Sequence, residues 1–109
     1  MHELSLVTSL LEQVQKHAED QPVKSITVRV GVMTCVDPGA LKFCFDATKE
    51  EAGLDRCELI IDRQFADGLC RQCGKTFQLE TALQPCDCGS LDIDVSGGSD
   101  LLLTELEIF

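Results

Sequence analysis

The apolar residues of the chain change period as it is read from its start. Over residues 3–19, Leu4, Val7, Leu10, Leu11 and Val14 recur at helical spacing, with Glu12, Gln13, Gln15 and Lys16 largely on the other face; this predicts an amphipathic helix. Pro22 ends it, since proline has no amide to donate and clashes with the preceding turn. From Ser25 to Met33 the period falls to two, with Ile26, Val28, Val30 and Val32 on one face and Thr27 and Arg29 on the other, a half-buried strand. Asp37-Pro38 then offers a capping carboxylate followed by proline at the first helical position. The second helix should turn Leu41, Cys44, Phe45 and Thr48 inward and end near Gly53. Cys57 to Phe65 predicts a second strand with Leu59 and Ile61 on one face. After Gly97-Gly98-Ser99, residues 101–109 alternate again, Leu102, Thr104, Leu106 and Ile108 against Leu103, Glu105 and Glu107. A closing strand this apolar needs a sheet to join, and the nearest is the one built from the first two strands.

Residues 66–100 differ from this pattern. Cys70 and Cys73 form a Cys-x-x-Cys turn closed by Gly74, twelve residues intervene, and Cys86 and Cys88 form a second cluster closed by Gly89. Two such clusters predict one tetrahedral thiolate site for a structural Zn(II). So short a segment cannot fold on apolar burial alone, so the metal would supply its folding free energy. Asp87, between the last two cysteines, is the alternative donor to Cys86. The expected fold class is α+β: two helices on a small, about three-stranded sheet, with an inserted zinc-ribbon-like domain before the final strand. The expected domains are residues 1–65 plus 101–109, and residues 66–100.

Composition narrows the function. A chain of 109 residues, 44% of them hydrophobic, can hold one modest core or a small core with a metal-stapled appendage. No apolar run is long enough to span a bilayer and no secretory signal opens the chain, so a cytoplasmic location without a membrane partner is expected. There the seven cysteines stay reduced, and Cys35, Cys44 and Cys57, outside the clusters, are expected to pack as small hydrophobes. A net charge of −10 disfavours nucleic acid; even within 66–100 two basic residues, Arg71 and Lys75, face six acidic ones. The acidic surface instead favours a partner with a basic patch. No nucleophile–base pair, phosphate loop or paired carboxylates stand out, and four thiolates leave zinc no open position for hydrolysis. An enzyme is not expected. His17 reads as a helix-end cation rather than a ligand.

The first residues, Met1-His2-Glu3, offer a terminal amine, an amide nitrogen and an imidazole that can close adjoining chelate rings, a donor set suited to Ni(II) or Cu(II). Glu3, in the first turn of the helix, is stabilised there by the dipole whatever it binds. Taken with Val30-Gly31-Val32, the stretch from Pro38 to Phe45, Cys70-x-x-Cys73 and Cys88-Gly89-Ser90, the chain resembles the HypA/HybF family, nickel metallochaperones of [NiFe]-hydrogenase maturation. The resemblance implies a nickel site at Met1, His2 and Glu3, with His2 indispensable, and a zinc site at Cys70, Cys73, Cys86 and Cys88. It also implies Ni(II) as transient cargo, Zn(II) as a structural ion, and a HypB-type GTPase and the hydrogenase large subunit as partners, self-association being left open. The family usually spaces its second pair as Cys-Pro-x-Cys, whereas here Pro85 precedes Cys86-Asp87-Cys88. The rival reading is a zinc-ribbon adaptor that binds only proteins, its terminus inert.

Overall fold

The computed structural model describes residues 2–109, and His2 by its backbone alone. Packing divides the chain into two compact units. One takes the chain through Arg29, Val36–Asp62 and Leu102–Phe109; the other takes Val30–Cys35 and Arg63–Leu101.

In the first unit, α1 spans His2–Ala18. Its inward stripe is Val7, Leu10, Leu11, Val14 and Ala18, whereas Leu4, expected inside, is 43% exposed in the first turn. Glu3 near the start and Lys16 and His17 near the end complement the helix dipole. Glu19 and Asp20 follow with φ of 50° and 67°, a left-handed exit that turns the chain toward Pro22.

β1 spans Val23–Gly31. Ile26, Val28 and Val30 are buried as the alternation predicts, and Val23 and Ser25 are buried too, because β1 is the central strand of the order β2-β1-β6. The strand stops short of Met33: Val32–Thr34 roll into a 3-10 turn, and Cys35 takes a left-handed conformation at φ 59°.

α2, Pro38–Thr48, begins where the sequence says it should. The Asp37 carboxylate accepts from the amides of Gly39 and Ala40 at 2.9 and 3.4 Å, satisfying donors that a helix start leaves open. Leu41 and Phe45 are fully buried, and α2 packs against α1. The helix stops at Thr48, earlier than Gly53; the next residues form turns in which Leu54 N donates to Lys49 O and Gly53 N to Glu50 O.

β2 is Glu58–Gln64 and β6 is Leu101–Ile108. β6 joins the sheet of β1 and β2 as expected, and its place there is beside β1, to which it runs antiparallel: Phe109 N donates to Pro22 O, and the Thr104 hydroxyl donates to Thr27 O. The expected single apolar face of β6 is not found. Leu101 and Leu103 are half-buried while Leu102 and Thr104 are exposed, and the pattern then reverses, with Leu106 and Ile108 half-buried. Burial thus crosses from one face to the other part-way along this edge strand.

In the second unit, β3 (Ala66–Cys70) lies between β4 (Thr76–Leu79) and β5 (Ile93–Ser96), antiparallel to both. Gly68 opposes Phe77 on one side and Val95 on the other. A Cβ at Gly68 would lie 2.6 Å from Leu79 Cδ1 and 3.0 Å from Ile93 Cγ2, so these side chains close over bare backbone there. Residues 97–100 return alongside the end of β1: Gly31 N donates to Asp100 O and Met33 N to Gly98 O, both at 2.7 Å.

Gly31 fits this approach because it has no side chain. A Cβ there would overlap the carbonyl of Gly98 and stand 2.8 Å from Ser99 N, all of it backbone that cannot swing aside. Gly31→Ala is therefore expected to lower stability by about 1–3 kcal/mol, read as a reduced midpoint in urea denaturation.

Candidate metal centre

The end of β3 and the two loops beyond it build the centre. Cys70 is the last residue of β3. The chain reverses in a turn where Gly74 N donates to Cys70 O and Cys70 N to Lys75 O, each at 2.9 Å. Gly74, at φ 79°, takes the left-handed conformation this reversal requires. Cys73, inside the turn, points its amide at Cys70 Sγ across 3.5 Å.

The second pair sits in the long connection from β4 to β5. Cys86 N donates to Ser90 O at 2.9 Å and Gly89 N to Cys86 O at 2.8 Å, with Gly89 at φ 90°. This tight loop turns both sulfurs of the Cys-x-Cys pair toward the first pair.

All four sulfurs lie within 4.8 Å of one another. Cys70 and Cys88 are 3.6 Å apart, and Cys73 and Cys86 are 3.5 Å apart. Four thiolates about 2.3 Å from a tetrahedral zinc would be about 3.8 Å apart, so the donor set and its spacing suit that ion. Cys70 and Cys86 are buried and Cys73 and Cys88 exposed, leaving one side of the cluster open to solvent.

Electrostatics point the same way. The Cys73 amide helps pull the pKa of Cys70 down to about 6. At Cys73 the Lys75 amide acts in the lowering direction, but the Cys86 and Cys70 sulfurs outweigh it and push the thiol up to about 12. Cys88 is raised as well: the Ser90 amide lowers it, and the Cys70 sulfur and desolvation prevail. One thiolate forms readily and its neighbours then resist a second negative charge. A divalent cation removes that conflict by offsetting all four.

Asp87 does not join the sulfurs. Its carboxylate pairs with the Lys75 ammonium and is exposed, and that pairing holds it below the usual carboxylate range.

The other residues singled out by sequence fare differently. Met1 and the side chain of His2 lie outside the described residues. Glu3 is half-buried in the first turn of α1, and its Oε2 lies 3.5 Å from the Asp37 amide. That neighbour has no signal in the sequence. Of the three remaining cysteines, Cys57 is buried as expected, and desolvation pushes its thiol up. Cys44 is half-buried, but Cys35 is exposed, because the strand ends before it and the left-handed turn carries it outward. His17 is exposed on the last turn of α1.

A family model described as hydrogenase/urease nickel incorporation, metallochaperone, hypA matches residues 1–108. The chain belongs to the HypA family. Among curated relatives, the hydrogenase maturation factor HypA of Geotalea uraniireducens is 36% identical over 109 residues, covering 99% of both chains. That of Rhizobium leguminosarum bv. viciae is 37% identical over 112 residues, again covering 99% of each. The fold is shared with the solution structure of the Ni metallochaperone HypA from Helicobacter pylori, at a TM-score of 0.64 and 22% identity over 97% of this chain and 96% of that one. A second solution structure of a HypA protein gives a TM-score of 0.66 at 25% identity, covering 100% and 97%.

HypA proteins are metallochaperones of nickel incorporation and not enzymes. Among the described residues, no helix is long and apolar enough to cross a membrane, and the four cysteines are the cluster able to hold a metal ion. The geometry separates the two donors that sequence left open in this HypA chain. Cys86→Ser is expected to lower bound zinc well below one per chain, whereas Asp87→Asn keeps it at about one; elemental analysis of the purified variants reads both.

Proposed function

We propose that this chain carries Ni(II) on its first residues and delivers it for maturation of a [NiFe]-hydrogenase, with Zn(II) held structurally by Cys70, Cys73, Cys86 and Cys88. The observation that carries the reading is the family match, which begins at residue 1 and so takes in Met1-His2-Glu3 together with the four cysteines. Hydrogenase is preferred to urease because the curated relatives, at 31–37% identity, are named hydrogenase maturation factors. The zinc, when bound, neutralises thiolate charge and ties the loops together. It performs no chemistry on the cargo.

In this reading the terminal amine, the first amide nitrogen and the His2 imidazole bind the cargo ion, and Glu3 orients the segment or adds a donor. The placement of Glu3 supports it: its carboxylate lies near the Asp37 amide, which ties the first turn of α1 to the start of α2. Open coordination permits release, since ligands of an acceptor can replace donors one at a time. The fitting partners are a HypB-type GTPase and the hydrogenase large subunit, met in the cytoplasm, and a net charge of −10 favours acceptor surfaces with a basic patch. Copper would compete well in vitro, because nitrogen donors of this kind prefer it on affinity alone.

Titration of the zinc-loaded protein with nickel, beside His2→Ala and a form extended by one residue ahead of Met1, tests the site. The native chain is expected to take about one nickel and both altered forms to lose it by at least about tenfold in affinity. Equal binding by all three would move the ligands elsewhere, and no binding by any would favour a protein-binding adaptor.

A further inference from the structure

Residues 66–100 are acidic, yet their two basic residues, Arg71 and Lys75, both lie at the first cysteine pair. Arg71 directly follows Cys70 and Lys75 follows Cys73 by two residues. Each pairs with carboxylates from the later part of the segment: Lys75 with the second cysteine loop, Arg71 with the neighbouring strand β5 and the residue just before it. Lys75 pairs with Asp87, the residue between Cys86 and Cys88. Arg71 lies 3.9 Å from Asp92 through Nη1 and 3.7 Å from Asp94 through Nη2, on the segment that leaves the second loop, while its amide donates to Asp92 O at 3.0 Å.

We propose that Arg71 and Lys75 are positioning residues of the zinc centre, clipping the second cysteine loop to the first and offsetting the charge of the metal–thiolate group. Two physical points carry this. Each cysteine turn is closed within itself by its own backbone bonds, Cys70 to Lys75 in one and Cys86 to Ser90 in the other. Those bonds shape the turns without joining one to the other. The Lys75–Asp87 pair supplies a joint across them, beside the metal ligands themselves.

The second point is charge. A zinc ion with four thiolates carries a net charge of −2, in a segment, residues 66–100, that already holds six carboxylates against two cations. Lys75 stands close enough to Cys73 and Cys86 to feel their charge, and Arg71 follows Cys70 directly in the chain; cations so placed lower the cost of that charge, and outer groups of this kind regularly tune metal affinity. The tight Cys86-Asp87-Cys88 spacing makes the clip specific: the residue between the ligands is itself the anchor, so pulling on Asp87 sets where both sulfurs sit. The cluster is thereby held together before the ion arrives and slow to open once it has left one ligand.

The inference rests on the zinc reading above, and one experiment separates their failures. The native protein, Lys75→Gln, Asp87→Asn, Arg71→Gln and the exchanged pair Lys75→Asp with Asp87→Lys are loaded with zinc, and transfer of zinc to a coloured chelator is timed at low and high salt. Failure of the native chain to load about one zinc would sink the zinc reading itself. Given loading, the single variants are expected to release zinc about two- to fivefold faster at low salt. Native release should rise toward theirs at high salt, and the exchanged pair should recover most of the slowing. Salt-independent native release, or single variants that match the native rate, would overturn the proposal. An exchanged pair as fast as the single variants would also count against it. The native salt series needs no variant to fold, so it decides the matter alone if the substitutions unfold the unit.

Discussion

Four cysteine sulfurs within 4.8 Å of one another are an arrangement that an uncharged interior would not choose. Thiolates this close repel, and thiols this close waste apolar volume on weak donors. The second unit nevertheless depends on them, because it has little else: its buried apolar side chains are few, while Leu83 is 86% and Leu91 68% exposed. A sheet of three strands of four or five residues does not hold itself together in water. The cluster is therefore the core of that unit, and the ion that suits it is part of the fold rather than an addition to it.

The first unit is built on the opposite principle. Val7 and Val14 from α1, Ile26 from β1, and Leu41 and Phe45 from α2 are all at 1% exposure or less, so close packing of ordinary hydrophobes suffices there. Nothing in that core calls for a metal. Under the proposed function, cargo held at the first residues would draw nothing from that core, whereas losing a thiolate-bound ion would remove the second unit's main support. The two metals of the proposed function thus meet opposite physical demands: the resident ion is enclosed by four ligands on closed loops, and the cargo is offered on a chain end.

Much of this was readable in the residues because it follows from local rules. The α1 stripe, the Asp37 cap, the entry of β6 into the first sheet and the four-cysteine grouping each depend on spacing or on a single side chain's chemistry. The misreadings came where neighbours decide. Val32 continues the alternation of β1 but not the strand, since the backbone beyond Gly31 bonds to residues 98–100 and then tightens into a turn. Cys35 is carried to the surface by that same turn, which no apolar pattern announces. Leu102 and Thr104 have the right parity for an inward face, yet burial passes to Leu101 and Leu103 at that end of an edge strand. The sheet of β3, β4 and β5 did not show as strands because its segments are only four or five residues long, and its alternation is broken by Gly68 inside and by the exposed Leu69 and Val95 outside.

Asp37 shows how little separates a structural residue from one that serves a site. Its carboxylate is committed to the first amides of α2, and its own amide faces the Glu3 carboxylate. The rigid start of one helix is thereby set beside the first turn of the other, where the proposed nickel ligands begin. A chelate made from the terminal amine and residue 2 gains its selectivity from a planar set of nitrogens, and that set forms only if the backbone leading into the helix keeps one direction. The Glu3–Asp37 approach supplies a fixed point of this kind from within the packed unit, one residue after the donors that the proposed function would use.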